Sequence, residues 1–197
     1  IEKYYSNADR AINLGIYSSD LAYATAYKDN QNINKYFIVC KKISDLLALN
    51  EGFDKETILR IDKNINNPDS LFEIANDAYW NVFLSLEEQG KVDILSAVIY
   101  GAWIESVYIS VNAVSNFNIN NEITQRIIDQ NLILENIQNY ISQTNSNEDS
   151  TKNSIQKELS EIQTIYDKIV SDIDSQTKPN FEVLKKKINE IRNKWVK

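Results

Sequence analysis

Apolar positions along this chain recur three and four residues apart, the spacing that puts side chains on one face of an α-helix. The least polar stretch is VDILSAVIYGAWIESVYISVNAVS, from Val92 to about Ser115, where Glu105 is the only charged residue between Ile94 and Ser115. A helix this apolar needs other elements, or lipid, around most of its circumference. It would be roughly 36 Å long, enough to cross a bilayer. A mid-span carboxylate costs about 2.5–3.5 kcal/mol on insertion scales, however, and no basic cluster flanks either end. The pattern therefore predicts a buried core helix. Ala97 with Gly101, and Ala102 with Ser106, are spaced to let another helix approach closely. Tyr100, Trp103 and Tyr108 supply bulk.

Four helices are predicted ahead of it. The first covers Tyr4 to Lys28, with a break expected at Gly15. Its face of Tyr17, Tyr23, Tyr27, Leu21 and Ala24 suits either a core edge with wet hydroxyls or the aromatic wall of a cleft. The second, Asn32 to Leu49, carries Ile33, Phe37, Cys40 and Leu47, widened by Ile43 and Leu46, and Asn50 to Gly52 should end it. Asp54 is a good N-cap for a short third helix, with Phe53 placed to staple onto Ile58. Pro68 fits the first turn of a fourth helix reaching Gln89, with Asn67 as cap, Asp69 beside the positive end and Gly90 beyond the last turn. That helix has two apolar rows, Leu71, Ala75, Ala78 and Val82 beside Phe72, Tyr79, Phe83 and Leu86.

Beyond Asn118 the apolar stripes narrow. Ile123, Ile127, Leu134, Ile137 and Ile141 mark one helix. Ile155, Leu159, Ile162, Tyr166, Ile169 and Ile173 mark the next. Phe181, Leu184, Ile188, Ile191 and Trp195 mark the last. A polar loop is expected over Gln143 to Ser150, and Pro179 helps to separate the final pair. Such seams suit antiparallel helices packed like a coiled coil. The expected fold is all-α: about eight helices bundled around the 92–115 helix. Residues 1–117 would form a core bundle, and 118–197 a three-helix extension packing on it or continuous with it. Leu14-Gly15 matches one fragment of a tetratricopeptide unit, but the fragment does not recur.

Composition narrows the chemistry. Only four Gly and two Pro occur in 197 residues, which favours long helices over tight turns. The net charge of −7 argues against general nucleic-acid binding. The chain has no His. This removes Ser-His-Asp and Cys-His catalysis, His-ligated zinc and haem, and the Glu-x-x-His di-iron site of helical bundles. No phosphate loop, dinucleotide fingerprint or Asp-rich calcium loop is present. No metal or other cofactor is expected. Cys40, the single cysteine, lies on an apolar stripe and fits core packing better than a reactive thiol.

The candidate site centres on Glu105. A carboxylate on an apolar helix either has a shifted pKa or is held by a partner. Asp20, Asp77 and Arg10 are the neighbours that the pattern offers. The functional reading is a polar ligand pocket anchored by Glu105, with Tyr23, Tyr100 and Trp103 as walls and Asp20 and Asp77 contributing. The plainer reading is a paired acid. Glu87-Glu88 and Asp172-Asp174 fit solvated faces better than acid–base pairs. Lys185, Lys186, Lys187, Arg192, Lys194 and Lys197 lie opposite the last seam. A solvated basic face fits them better than a membrane or acidic-partner surface.

The runs NLGIYSSDLAYA (Asn13 to Ala24) and GAWIESVYIS (Gly101 to Ser110) resemble uncharacterised bacterial helical proteins of the envelope, secreted or lipid-anchored. The resemblance covers roughly the first 115 residues. It implies an all-helical fold and an envelope or periplasmic location, and carries no catalytic residues across. The chain begins at Ile1 without an initiator methionine, which fits a trimmed or mature form and leaves an upstream signal or lipid anchor open. The leading expectation is a non-catalytic binding protein with a protein or small-molecule partner, touching a membrane only through such an anchor. The alternatives are an intracellular regulator self-associating through its C-terminal helices and, behind it, an enzyme using Glu105 with nearby tyrosines.

Overall fold

A computed structural model describes residues 4–49, 54–64, 67–143, 150–171 and 177–196. Among the described residues there are eight α-helices and no strand. They are α1 (Asn7–Ala26), α2 (Asn30–Leu46), α3 (Lys55–Asn64), α4 (Pro68–Glu88), α5 (Val92–Ala113), α6 (Glu122–Ser142), α7 (Ser150–Ser171) and α8 (Thr177–Trp195). The all-α expectation holds, and α5 is the apolar helix. Two compact units share the chain, Ile1–Ala102 and Trp103–Lys197. The division falls inside α5, earlier than the boundary expected after residue 117. Helix α5 thus supplies its first half to unit 1 and its second half to unit 2.

Short polar side chains start the helices. Ser6 Oγ accepts from the Asp9 amide at 2.9 Å, Asp29 from Asn32 at 3.1 Å, and Asp54 from Thr57 at 2.7 Å. Asn67 accepts from Ser70 at 3.3 Å, and Asn121 from the Ile123 amide at 2.9 Å. Each fills an amide that the first turn leaves open, an effect of about 1 kcal/mol per cap. The expected caps Asp54 and Asn67 are among them. The predicted staple at Phe53, the stop at Asn50 to Gly52 and most of the 143–150 loop lie outside the described residues.

The helix ends are less obvious in sequence. Helices α1, α2 and α4 all finish in the same hydrogen-bonded turn. The amides of Asp29, Leu49 and Lys91 bond back to the carbonyls of Ala24, Ser44 and Leu86, each at 2.9 Å. That turn needs a left-handed residue, and glycine is the usual choice. Only α4 has one, Gly90 at φ 64. Lys28 at φ 58 and Ala48 at φ 54 take the same conformation with a Cβ present.

Unit 1 packs α1 against α2 and α4, with the first half of α5 across α1. The core includes Ile12, Leu14, Ile16, Ile33, Cys40, Ile43, Leu71, Ile74, Leu86, Leu95 and Tyr100, all buried. Helix α1 does not break at Gly15; it runs unbroken from Asn7 to Ala26. Two glycines make the α1–α5 crossing possible. A Cβ on Gly15 would fall 2.1 Å from the Val98 carbonyl oxygen, and one on Gly101 would fall 2.0 Å from that of Ile12. The two backbones meet where both helices lack side chains. Leu46, expected to widen the α2 stripe, faces outward instead.

Unit 2 consumes its seams internally. Every described seam residue of α7 and α8 is buried, from Ile155 to Ile169 and from Phe181 to Trp195. Ile127, Leu134, Ile137 and Ile141 of α6 are buried with them, whereas Ile123 is exposed and Thr124 takes the inward position. The buried Tyr166 hydroxyl donates to the Ile127 carbonyl at 3.0 Å, tying α7 to α6. Burial holds its phenol above the ordinary tyrosine range.

Candidate functional site: an apolar cleft between α1, α4 and α5

Helices α1 and α4 run antiparallel in unit 1. The Lys28–Asp69 ion pair joins the end of α1 to the start of α4. Between them opens a cleft of about 290 Å³. Leu14, Ser18 and Ala22 line the α1 side, Phe72, Ala75 and Tyr79 the α4 side, and Val98 and Ala102 of α5 form the floor. Small residues make the space. On α1, Ser18, Ser19 and Ala22 stand where larger side chains would close it. Ser19 Oγ is turned to the floor, donating to the Ala102 carbonyl at 2.9 Å. Ser18 Oγ lies 3.8 Å from Cys40 Sγ.

The rim on α4 is aromatic. Phe72 was expected in a packed row but is 50% exposed. Tyr79 is partly buried, and desolvation raises its phenol above the ordinary value. Trp80 and Phe83 stack edge-on at 5.4 Å on the same helix. Asn76 adds an exposed carboxamide to the rim. Apart from Tyr79, no lining residue titrates.

None of the six residues singled out from sequence lines this cleft. Glu105 belongs to unit 2, is 1% exposed, and is held by Arg192 of α8. Arg192 Nε donates to Oε2 at 3.0 Å and Nη2 to Oε1 at 3.4 Å, a two-pronged pair. The guanidinium also lies over the Tyr108 ring, 4.8 Å from its centroid. Trp103, also in unit 2, donates its indole N–H to Gln130 at 3.2 Å. Tyr100 is fully buried in unit 1. Tyr23, near the end of α1, stacks on Tyr27 just beyond it, with centroids 4.5 Å apart and both rings exposed. Desolvation, then the neighbouring Tyr27, raises the Tyr23 phenol. Asp20 is half-buried on α1, near enough to Cys40 to oppose thiolate formation. Asp77 pairs with Arg60 at 2.9 Å on an exposed surface. Arg10 donates to the Tyr4 carbonyl and to Asn7. The cation that holds Glu105 is thus Arg192, a residue that the helical pattern alone assigns to a solvated face.

The rest of that basic face is also largely engaged. Lys187 pairs with Glu161, and Lys194 with Glu158 at 2.5 Å. Lys186 pairs with Glu190 at 3.9 Å, and Lys185 donates to the Val114 carbonyl at 3.4 Å. Glu158, itself buried, accepts a further bond from the Trp195 indole at 3.0 Å. Lys197, Asp172 and Asp174 lie outside the described residues. Cys40 is fully buried, and desolvation pushes its thiol up to about 12. Among the described residues, no group of three or more His, Cys, Asp or Glu is placed to hold a metal.

Helix α5 is, among the described residues, the one helix long and apolar enough to cross a membrane, and 61% of its apolar window is buried by protein. Comparison with known protein families, curated proteins and solved structures finds no match to this chain.

Proposed function

We propose that this chain is a non-catalytic binding protein that takes its ligand in the α1/α4/α5 cleft of unit 1. The observation carrying this reading is the cleft itself: about 290 Å³, open to solvent, apolar, with a half-exposed aromatic at its rim. Ligand sites are concave and mostly apolar with a few polar groups, and this volume lies near their lower size limit. Leaving Phe72 half in water and Ala22 uncovered forgoes apolar burial that larger neighbours would have gained. An enzyme built on Glu105 fits poorly, because its carboxylate is already bound through both oxygens by Arg192.

The test is saturable binding of a neutral apolar fluorophore, N-phenyl-1-naphthylamine, by the full chain. Ala22→Phe and Ala75→Phe each put a ring into the cleft from opposite walls. One-to-one binding by the wild type, lost in both variants while circular dichroism and the thermal midpoint are retained, supports the reading. Absence of saturable binding, or equal binding by the wild type and both variants, overturns it.

A further inference from the structure

We infer that the ligand of this cleft is a neutral, largely hydrocarbon molecule carrying at most one or two uncharged hydrogen-bonding groups, and that the cleft discriminates against charged molecules of the same shape. The inference rests on the binding reading above and adds the ligand's chemical class. Its basis is the charge of the lining. No Lys, Arg, Asp or Glu faces the space. The one titratable group there, the Tyr79 phenol, is uncharged at neutral pH like any ordinary phenol, and desolvation raises its pKa further. Of the charged residues adjoining the lining on these helices, Asp69 pairs with Lys28 and Asp77 with Arg60, and Asp20 and Glu73 are not among the lining residues.

A charged group entering such a space loses hydration and meets no counter-charge, which is costly even after partial relaxation. A neutral hydroxyl, carbonyl or amide can instead meet the Asn76 carboxamide on the rim, or the Ser18 hydroxyl within, which also contacts Cys40 Sγ. Ser19 is less available, since it already donates to Ala102. The floor of Val98 and Ala102, with Leu14 beside it on α1, presents apolar side chains, so the body of the ligand is hydrocarbon. Phe72 and Tyr79 would cover it from one side, where flat or aromatic bodies gain most from ring contact.

Two probes sharing one aromatic body isolate the charge. N-phenyl-1-naphthylamine is neutral, and 1-anilinonaphthalene-8-sulfonate adds a sulfonate. The full chain is expected to bind the neutral probe about tenfold or more tightly, the difference worth one desolvated charge at a partly open site. Ala22→Lys introduces a cation at the rim and is expected to bring the sulfonate up to, or past, the neutral probe. If both probes bind equally, or the anion binds more tightly, and Ala22→Phe abolishes both, the cleft is a binding site but the neutrality inference fails. If neither probe binds, the site and the inference fall together. If the neutral probe is preferred but Ala22→Lys leaves the ratio unchanged, the preference arises outside this cleft and the inference is overturned.

Discussion

Glu105 is the residue on which the electrostatics of unit 2 turn. Its carboxylate is almost wholly shielded from water, while the Arg192 side chain keeps 21% exposure. Attraction in such a place has to offset a large loss of hydration, so the pair adds little net stability but is expensive to break. Arg192→Ala should cost about 3–5 kcal/mol, because it strands a buried carboxylate. Glu105→Gln keeps the shape and should cost about 1–3 kcal/mol. The double change Glu105→Leu with Arg192→Leu should recover most of the loss. Urea unfolding of the wild type and the three variants measures each loss. A loss below about 1 kcal/mol for Arg192→Ala would mean that water or another cation serves the carboxylate. Cys40 gives a second test at this scale. With its thiol pushed up to about 12 by burial, it should resist a thiol reagent at about pH 8 in the native protein and react on denaturation. Rapid native labelling would indicate local opening of the α1–α2 contact.

Between elements, the glycines divide into two kinds that a sequence does not separate. At Gly15 and Gly101 an added Cβ would collide with a backbone carbonyl, which cannot swing aside as a flexible side chain could. The helical propensity gained by Gly→Ala is about 1 kcal/mol. Overpacking costs typically about 1–3 kcal/mol and more against backbone, so both substitutions should destabilise, Gly101→Ala at least as much as Gly15→Ala. Gly90 meets nothing within 4 Å, and its need is purely a left-handed backbone. By the same reasoning, Ala48→Gly should stabilise by about 1 kcal/mol, since Ala48 holds that conformation against its own Cβ. Thermal midpoints of the three variants test the distinction. The helix starts add a pH dependence. Backbone and side-chain hydrogen bonds lower the pKa of Asp29 and Asp54 from 3.8 in the folded state. A depressed folded pKa gives stability that is complete above the unfolded value and lost as pH falls through the folded one. Stability should therefore decline below about pH 4, and Asp54→Asn, which can keep the capping bond, should flatten part of that decline.

Across the whole chain, what was legible in sequence followed from repeated local signals. Seams such as Ile155 to Ile169 predict a helix and its buried face, because many positions agree on one period. Caps such as Asp54 and Asn67 are equally local. Pairings between distant positions carry no such redundancy. Arg192 meets Glu105 across 87 positions of chain, and nothing in its own helix separates it from the lysines beside it. Gly15 reads as a break because the carbonyl that it meets belongs to α5. The cleft was missed because it consists of absent bulk: Ser18, Ser19 and Ala22 look like ordinary small residues until α4 stands opposite. The tyrosine face of α1 did suggest an aromatic wall, but the wall came from Phe72 and Tyr79 instead.

The same global view bears on self-association. Coiled-coil-like seams invite a second copy when a helix has no partner of its own. Here α6, α7 and α8 partner one another, so docking through those seams would first require opening unit 2. The expected consequence is that the thermal midpoint does not change over about a hundredfold range of protein concentration, whereas coupled folding and association would raise it by mass action. Leu184→Ala, at a fully buried α8 position, should lower the midpoint through a cavity worth about 2–5 kcal/mol, again independently of concentration. A midpoint that climbs with concentration in the wild type, and stops climbing in Leu184→Ala, would instead assign the C-terminal helices to an interface between chains.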